Sequence, residues 1–165
     1  MEIDDVKEKV EYGMRLLRDN DQDLFAVNVN ERTITHKLAE YLQNQFKDYN
    51  VDCEYNRYED ATKKLKSIKN RVLNIRNLKT YEIERLIWED KDSITVYPDI
   101  IIHTRRRSYN NLLVIEVKKS SNNIDKDFDI SKIKELMKTP YNYKYGLFLM
   151  IDLENVRTDY EWFPK

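Results

Sequence analysis

A mixed α/β domain, with a central β-sheet flanked by helices, is the fold class this chain predicts. Two helical stripes come first, three apolar runs of strand length follow, and a further helical stripe separates the last two runs. Hydrophobic residues make up 41% and charged ones 36%, a balance that favours a folded core over disorder. No repeat, low-complexity tract or Pro/Gly/Ser-rich linker divides the sequence, so a single domain over 1–165 is expected.

The elements follow in order. Ile3, Val6, Val10, Met14 and Leu17 recur at intervals of three and four, which predicts an N-terminal packing helix within 1–20. Ile34, Leu38, Tyr41, Leu42 and Phe46 predict a second helix from Glu31 to Phe46, capped by Asn28 or Asn30. VDCEYN (51–56) has strand character through Val51, Cys53 and Tyr55. Over 57–92 the helical spacing of Leu65, Ile68, Val72 and Ile75 predicts a basic helical insertion, with a short helix over 80–90. SITVYPDIIIHT (93–104) and NLLVIEVKKS (111–120) predict two strands, and the polar RRRSYN between them makes a hairpin the simplest connection. DISKIKELMK (129–138) reads as a helix with Ile130, Ile133, Leu136 and Met137 inward, ended by Pro140. YGLFLMIDL (145–153) reads as a buried strand, apolar on both faces.

Composition excludes several chemistries. Two glycines, Gly13 and Gly146, cannot build a dinucleotide fingerprint or a P-loop, which need several at close spacing. Cys53 alone permits no internal disulfide and no cysteine zinc site. His36 and His103 lie too far apart for a helical HExxH pair. No run approaches the ~20 apolar residues of a membrane span, and a reducing, cytoplasmic setting is expected. Carboxylates and amines remain. The net charge of −1 conceals a pattern: residues 1–60 carry 8 basic and 15 acidic side chains, residues 61–120 carry 14 and 7, and residues 121–165 carry 7 and 8. Positive charge is concentrated in the middle third.

The chemistry sits inside the two strongest strands. Asp99 follows Pro98 in an apolar run, and Glu116 and Lys118 interrupt LLVIEVKK. A charge buried there without a partner or a metal costs several kcal/mol. Strand periodicity puts Glu116 and Lys118 on one face, with Leu113, Ile115 and Val117 on the other. A hairpin that pairs His103 with Leu112 continues to 101 with 114 and 99 with 116, making Asp99 and Glu116 cross-strand neighbours with Cβ atoms ~5 Å apart. Such carboxylates repel unless a divalent cation lies between them, and hard oxygen donors suit Mg²⁺ or Mn²⁺. Lys118, ~6–7 Å further along the same face, can reach an attacking water or a substrate phosphate. That combination suits phosphodiester hydrolysis.

Pro98-Asp99 followed by Glu116-Val117-Lys118 resembles the signature of the PD-(D/E)xK nuclease superfamily, the fold of many restriction endonucleases, Holliday-junction resolvases and recombination exonucleases. The resemblance implies a restriction-endonuclease-like core of helix, three strands, helix and strand. It maps onto 31–47, 51–56, 94–104, 111–119, 129–138 and 145–152, leaving out the N-terminal helix, the insertion and the C-terminal tail. It implies Mg²⁺ (or Mn²⁺) held by Asp99, Glu116 and the backbone carbonyl of Val117, with Glu31 completing the site from the first core helix. Lys118 would position or activate the attacking water, and Lys132 on the second core helix would assist at the substrate phosphate. The implied activity is that of a metal-dependent nuclease, an endodeoxyribonuclease acting on DNA, working as a homodimer or in a larger assembly. The triplets Asp5-Val6-Lys7 and Glu89-Asp90-Lys91 share the bare D/E-x-K pattern but lie in helical contexts with no upstream Pro-Asp.

Each of these residues has a second reading. Asp99 is also a residue opening a strand beside a proline, and Glu116 and Lys118 also suit a solvated strand face. Glu31 completes a capping box with Asn28. His103 lies ~13 Å from Asp99 along the strand and suits a structural role, while His36 with Glu40 one turn later reads as a surface pair. Lys63, Lys64, Lys66, Lys69 and Arg71 belong to a run with no acid between Asp60 and Glu82. That run is either a solvated helical face or a contact surface for a phosphate backbone. Arg105, Arg106 and Arg107 in the hairpin turn form a second such surface. The competing class of function is a catalytically silent nuclease-fold module that binds nucleic acid or regulates a protein partner through its acidic first third.

Overall fold

The structure, a computed structural model, describes residues 1–58, 61–65, 94–121, 126–155 and 157–165. The helix expected over 80–90, most of the basic insertion, and Lys66, Lys69 and Arg71 lie outside the described residues.

Helix α1 (Ile3–Asn20) buries Val6, Val10, Gly13, Met14 and Leu17 along the expected stripe. Acidic Asp4 and Asp5 sit in its first turn, where the exposed N–H groups favour negative charge. A short helix α2 (Gln22–Ala26), not anticipated, leads to α3 (Glu31–Gln45). Asn30 caps α3, its Oδ1 accepting the Thr33 N–H at 2.9 Å. The two long helices pack where α1 has no side chain: a Cβ on Gly13 would lie 2.9 Å from Leu42 Cδ2.

The main sheet has five strands: β1 (Asn50–Cys53), β6 (Ile100–His103), β7 (Asn111–Lys119), β8 (Tyr145–Asp152) and β9 (Arg157–Pro164), in that spatial order. β7 and β8 run parallel and the other neighbours antiparallel. Helix α4 (Lys126–Leu136) lies in the crossover between β7 and β8, as a parallel connection requires. α1 and α3 cover one face, over Ile100, Ile102, Leu113, Ile115, Val117, Leu147, Leu149 and Ile151. α4 covers the other, over Ile101, Val114 and Phe148. The period of two in these strands therefore sorts their side chains onto two separate cores. No helix among the described residues is long and apolar enough to cross a membrane.

The hairpin register agrees with the expectation at its centre, where Ile101 pairs with Val114, flanked by Ile100 with Ile115 and Ile102 with Leu113. It departs at the turn: a bulge shifts His103 onto Asn111 rather than Leu112.

Three expectations are corrected. The strand over 93–104 is two pieces. β5 (Ile94–Thr95) pairs with β4 (Lys64–Leu65) outside the main sheet, and buried Pro98, which has no N–H to give a ladder, stands in the gap before β6. The start of the expected helical insertion is extended: β2 (Arg57–Tyr58) pairs with β3 (Ala61–Thr62), and β4 follows at once. The C-terminal tail is the edge strand β9, paired with β8 along its whole length, with Thr158, Tyr160, Trp162 and Phe163 its more buried positions.

Candidate active site

Glu116 and Lys118 share one face of β7, as the periodicity predicts, and that face meets α4. Their exposures are 1% and 5%, so this is no solvated strand face. Asp99 lies at the mouth of β6, beside Pro98, and its Oδ2 accepts the backbone N–H of Val117 at 2.7 Å. That bond extends the hairpin past its last ladder pair and holds the Asp99 carboxylate against the Glu116-Val117-Lys118 segment.

α4 answers these charges. It can approach closely because β8 has no side chain at Gly146, where a Cβ would fall 2.2 Å from Ile133 Cγ2 and 2.9 Å from Met137 Sδ. One turn of α4 then presents Asp129 and Lys132 to the sheet. Lys132 Nζ lies 2.5 Å from Glu116 Oε2 and 3.7 Å from Asp129 Oδ1, and Lys118 Nζ lies 2.6 Å from Asp129 Oδ2. Glu116 Oε1 is buried with no hydrogen-bond partner.

Three carboxylates, Asp99, Glu116 and Asp129, thus face two ammoniums, Lys118 and Lys132. Fully ionised, the group carries one uncompensated negative charge in a nearly closed place. The protonation equilibria follow. Burial pushes the Asp99 carboxyl up to about 6, Asp129 and Glu31 push the same way, and Lys132 and the Val117 N–H oppose them. Burial raises Glu116 well above the usual carboxylate range, with Asp99 and Asp129 adding to the rise and Lys132 opposing it. For Lys132 burial works against the charged form, but the fields of Glu116, Asp99 and Asp129 outweigh it and raise its pKa above the ordinary lysine value.

Glu31 comes to the end of the same strand from the opposite face. Its Oε2 accepts the backbone N–H of Lys119 at 3.0 Å, and Lys119 Nζ reaches Asn28 Oδ1 at 2.8 Å and the Val29 carbonyl at 2.9 Å. The start of α3 is thereby laced to the end of β7. Among the described residues no three His, Cys, Asp or Glu side chains converge as a ligand set. Ammonium groups stand among the carboxylates. The donor chemistry still fits a hard divalent cation: carboxylate oxygens in excess of positive charge, one of them buried and orphaned.

Several basic residues are placed differently from expectation. Lys63 is 1% exposed and cannot touch a phosphate backbone. Its Nζ donates to the Tyr55 carbonyl at 2.9 Å and lies over the rings of Tyr55 and Tyr143. Lys132, expected at a substrate phosphate, is committed to Glu116. Arg105 is spent on Asp52, to which its Nε donates at 2.8 Å, with a second bond from Nη2. Arg106 and Arg107 are exposed in the turn, and Lys64 lies in β4. His103 is structural, as expected: its Nε2 lies 2.9 Å from Asp52 Oδ2 and its ring packs 5.0 Å from Tyr55. Burial by itself raises the Asp52 pKa, but hydrogen bonds from Arg105 and His103 hold it well below the usual range. His36 and Glu40 form the exposed pair expected of them, 3.6 Å apart.

The residue that sequence reasoning missed is Asp129. Its signal was present, since 129, 132, 133 and 136 follow the spacing of one helical face and the last two are fully buried apolar residues. A charged pair on such a stripe must meet charges on the sheet. Comparison of the chain with protein-family models, with curated proteins and with solved structures finds no match.

Proposed function

We propose that the protein is a metal-dependent nuclease that hydrolyses phosphodiester bonds, with DNA as substrate and a restriction-endonuclease-like core. The observation that carries this reading is the pairing of Asp99 with the Glu116-Val117-Lys118 segment, in a pocket that is one positive charge short when fully ionised and leaves Glu116 Oε1 orphaned. The chain order of α3, β1, β6, β7, α4 and β8 supports the core.

Asp99, Glu116 and the Val117 carbonyl would hold Mg²⁺ or Mn²⁺, with Glu31 assisting from the start of α3. The ion would supply Lewis acidity at the phosphate and acidify a water. Lys118 orients the attacking water or meets the charge that develops on the phosphate, and Asp129 holds its ammonium in place. Lys132 balances the charge of Glu116 beside it. Arg106 and Arg107, exposed on the hairpin turn, suit the sugar-phosphate backbone. A homodimer or larger assembly, in the cytoplasm, completes the reading.

A second reading has its own support. Lys132 with Glu116 and Lys118 with Asp129 are close ion pairs, which suits a silent module whose buried charges only compensate one another. Incubation with plasmid and linear DNA in Mg²⁺ or Mn²⁺ separates the two. The nuclease predicts cleavage that Asp99→Ala and Lys118→Ala abolish; no cleavage by the wild type, or undiminished cleavage by both variants, refutes it.

A further inference from the structure

Lys132 stands where the proposed site needs positive charge. Its ammonium contacts Glu116, lies within reach of Asp129, and feels the charge of Asp99. The position is costly for a lysine: Ile133 and Leu136 beside it are fully buried, and a buried ammonium is tolerated only when paired. The helix backbone has little room to retreat or advance, because Ile133 and Met137 already sit in the space left by Gly146. Movement is left to the lysine side chain. Asp129, three residues earlier on the same helix, is an acceptor to which it can turn.

We propose that Lys132 is a tethered counter-ion. It neutralises the Asp99 and Glu116 pocket when no divalent cation is bound, competes with that cation for Glu116, and turns to Asp129 when the cation arrives. The inference rests on reading the pocket as a divalent-cation site, and it makes a prediction against the usual direction. A group that only orients a metal ligand strengthens metal binding, and its removal weakens it about 10- to 100-fold. A competing charge does the reverse.

The test is titration of Mn²⁺ alone into the wild type, Lys132→Met and Lys132→Arg, followed by calorimetry and by the Mn²⁺ paramagnetic resonance signal. Lys132→Met should bind Mn²⁺ at least about tenfold more tightly, because a like charge a few ångström away in an effective dielectric of ~20 has been removed. Lys132→Arg, which keeps the charge, should bind close to the wild type. If Lys132→Met is poorly folded without metal, Mn²⁺ should raise its unfolding temperature by more than it raises that of the wild type. Equal or weaker Mn²⁺ affinity in Lys132→Met, with no larger thermal shift, overturns the tethered counter-ion while leaving the metal site intact. If neither chain takes up Mn²⁺, the metal site itself is refuted and this inference with it.

Discussion

Replacing Lys63 with methionine tests how the structure disposes of the first basic residue after Asp60. Lys63 is 1% exposed, and burial pulls its pKa down from 10.5 to about 8, with Asp52 opposing the fall. A lowered folded-state pKa means that the unfolded chain binds more protons between about pH 8 and 10.5, so wild-type stability rises with pH across that window. At ~1.4 kcal/mol for each pH unit, the buried ammonium costs about 3 kcal/mol at pH 7. Lys63→Met removes that cost and loses the hydrogen bond to the Tyr55 carbonyl, worth about 1 kcal/mol; the contacts with the two tyrosine rings exist only for the charged amine and are already part of its net cost. The variant should be about 2 kcal/mol more stable at pH 7 and about 1 kcal/mol less stable near pH 10.5, where the wild-type amine is neutral. Urea unfolding of both proteins at a series of pH values reads the difference directly and cancels the other titrating groups. Parallel curves would refute the reasoning, as would a loss of DNA binding in Lys63→Met with no change in stability.

Lys132→Met, in the absence of divalent metal, strands the Glu116 carboxylate. The expected loss is about 3–5 kcal/mol, a fall in Tm of ~2–4 °C per kcal/mol for a chain of this size. Glu116 is raised in the folded state, so the stability it confers is present below its unfolded pKa and lost as pH rises; the variant should recover toward pH 5. Adding Glu116→Gln should restore about half of the loss or more, and a double variant no better than the single one by thermal unfolding contradicts the pairing. Gly146→Ala drives a methyl group into Ile133 and Met137 and should cost about 1–3 kcal/mol. A Gly146→Ala protein as stable as the wild type in urea contradicts the close seating of α4 on β8.

The legible parts of this molecule are those where a local period and a burial requirement coincide. Leu113, Ile115 and Val117 against Glu116 and Lys118 declare both faces of β7, and a hairpin turn between the two apolar runs brings Ile101 opposite Val114. The site residues of the sheet were legible for that reason. β9 was not, because an edge strand buries one face only in part and RTDYEWFP is largely polar. The break at Pro98 was hidden inside a continuous apolar run, although the proline itself marked it. Lys63 read as solvated because charge usually is; only tertiary packing against Tyr55 and Tyr143 buries it. Asp129, and the partner that Lys132 takes, were hidden for a similar reason. A charged pair three residues apart on a helix is an ordinary surface pattern, and what distinguishes this one is the proximity of Glu116 and Lys118 across the space opened by Gly146.

The proposed nuclease requires that Asp99 and Glu116 share a divalent cation. Mn²⁺ binding to the wild-type chain, compared with Asp99→Asn and Glu116→Gln, tests it most directly. A shared cation should give a saturable wild-type site that each substitution abolishes or weakens by about tenfold or more, since each removes a charged oxygen donor. Wild-type protein that takes up no Mn²⁺, or variants that bind it as tightly as the wild type, would contradict it.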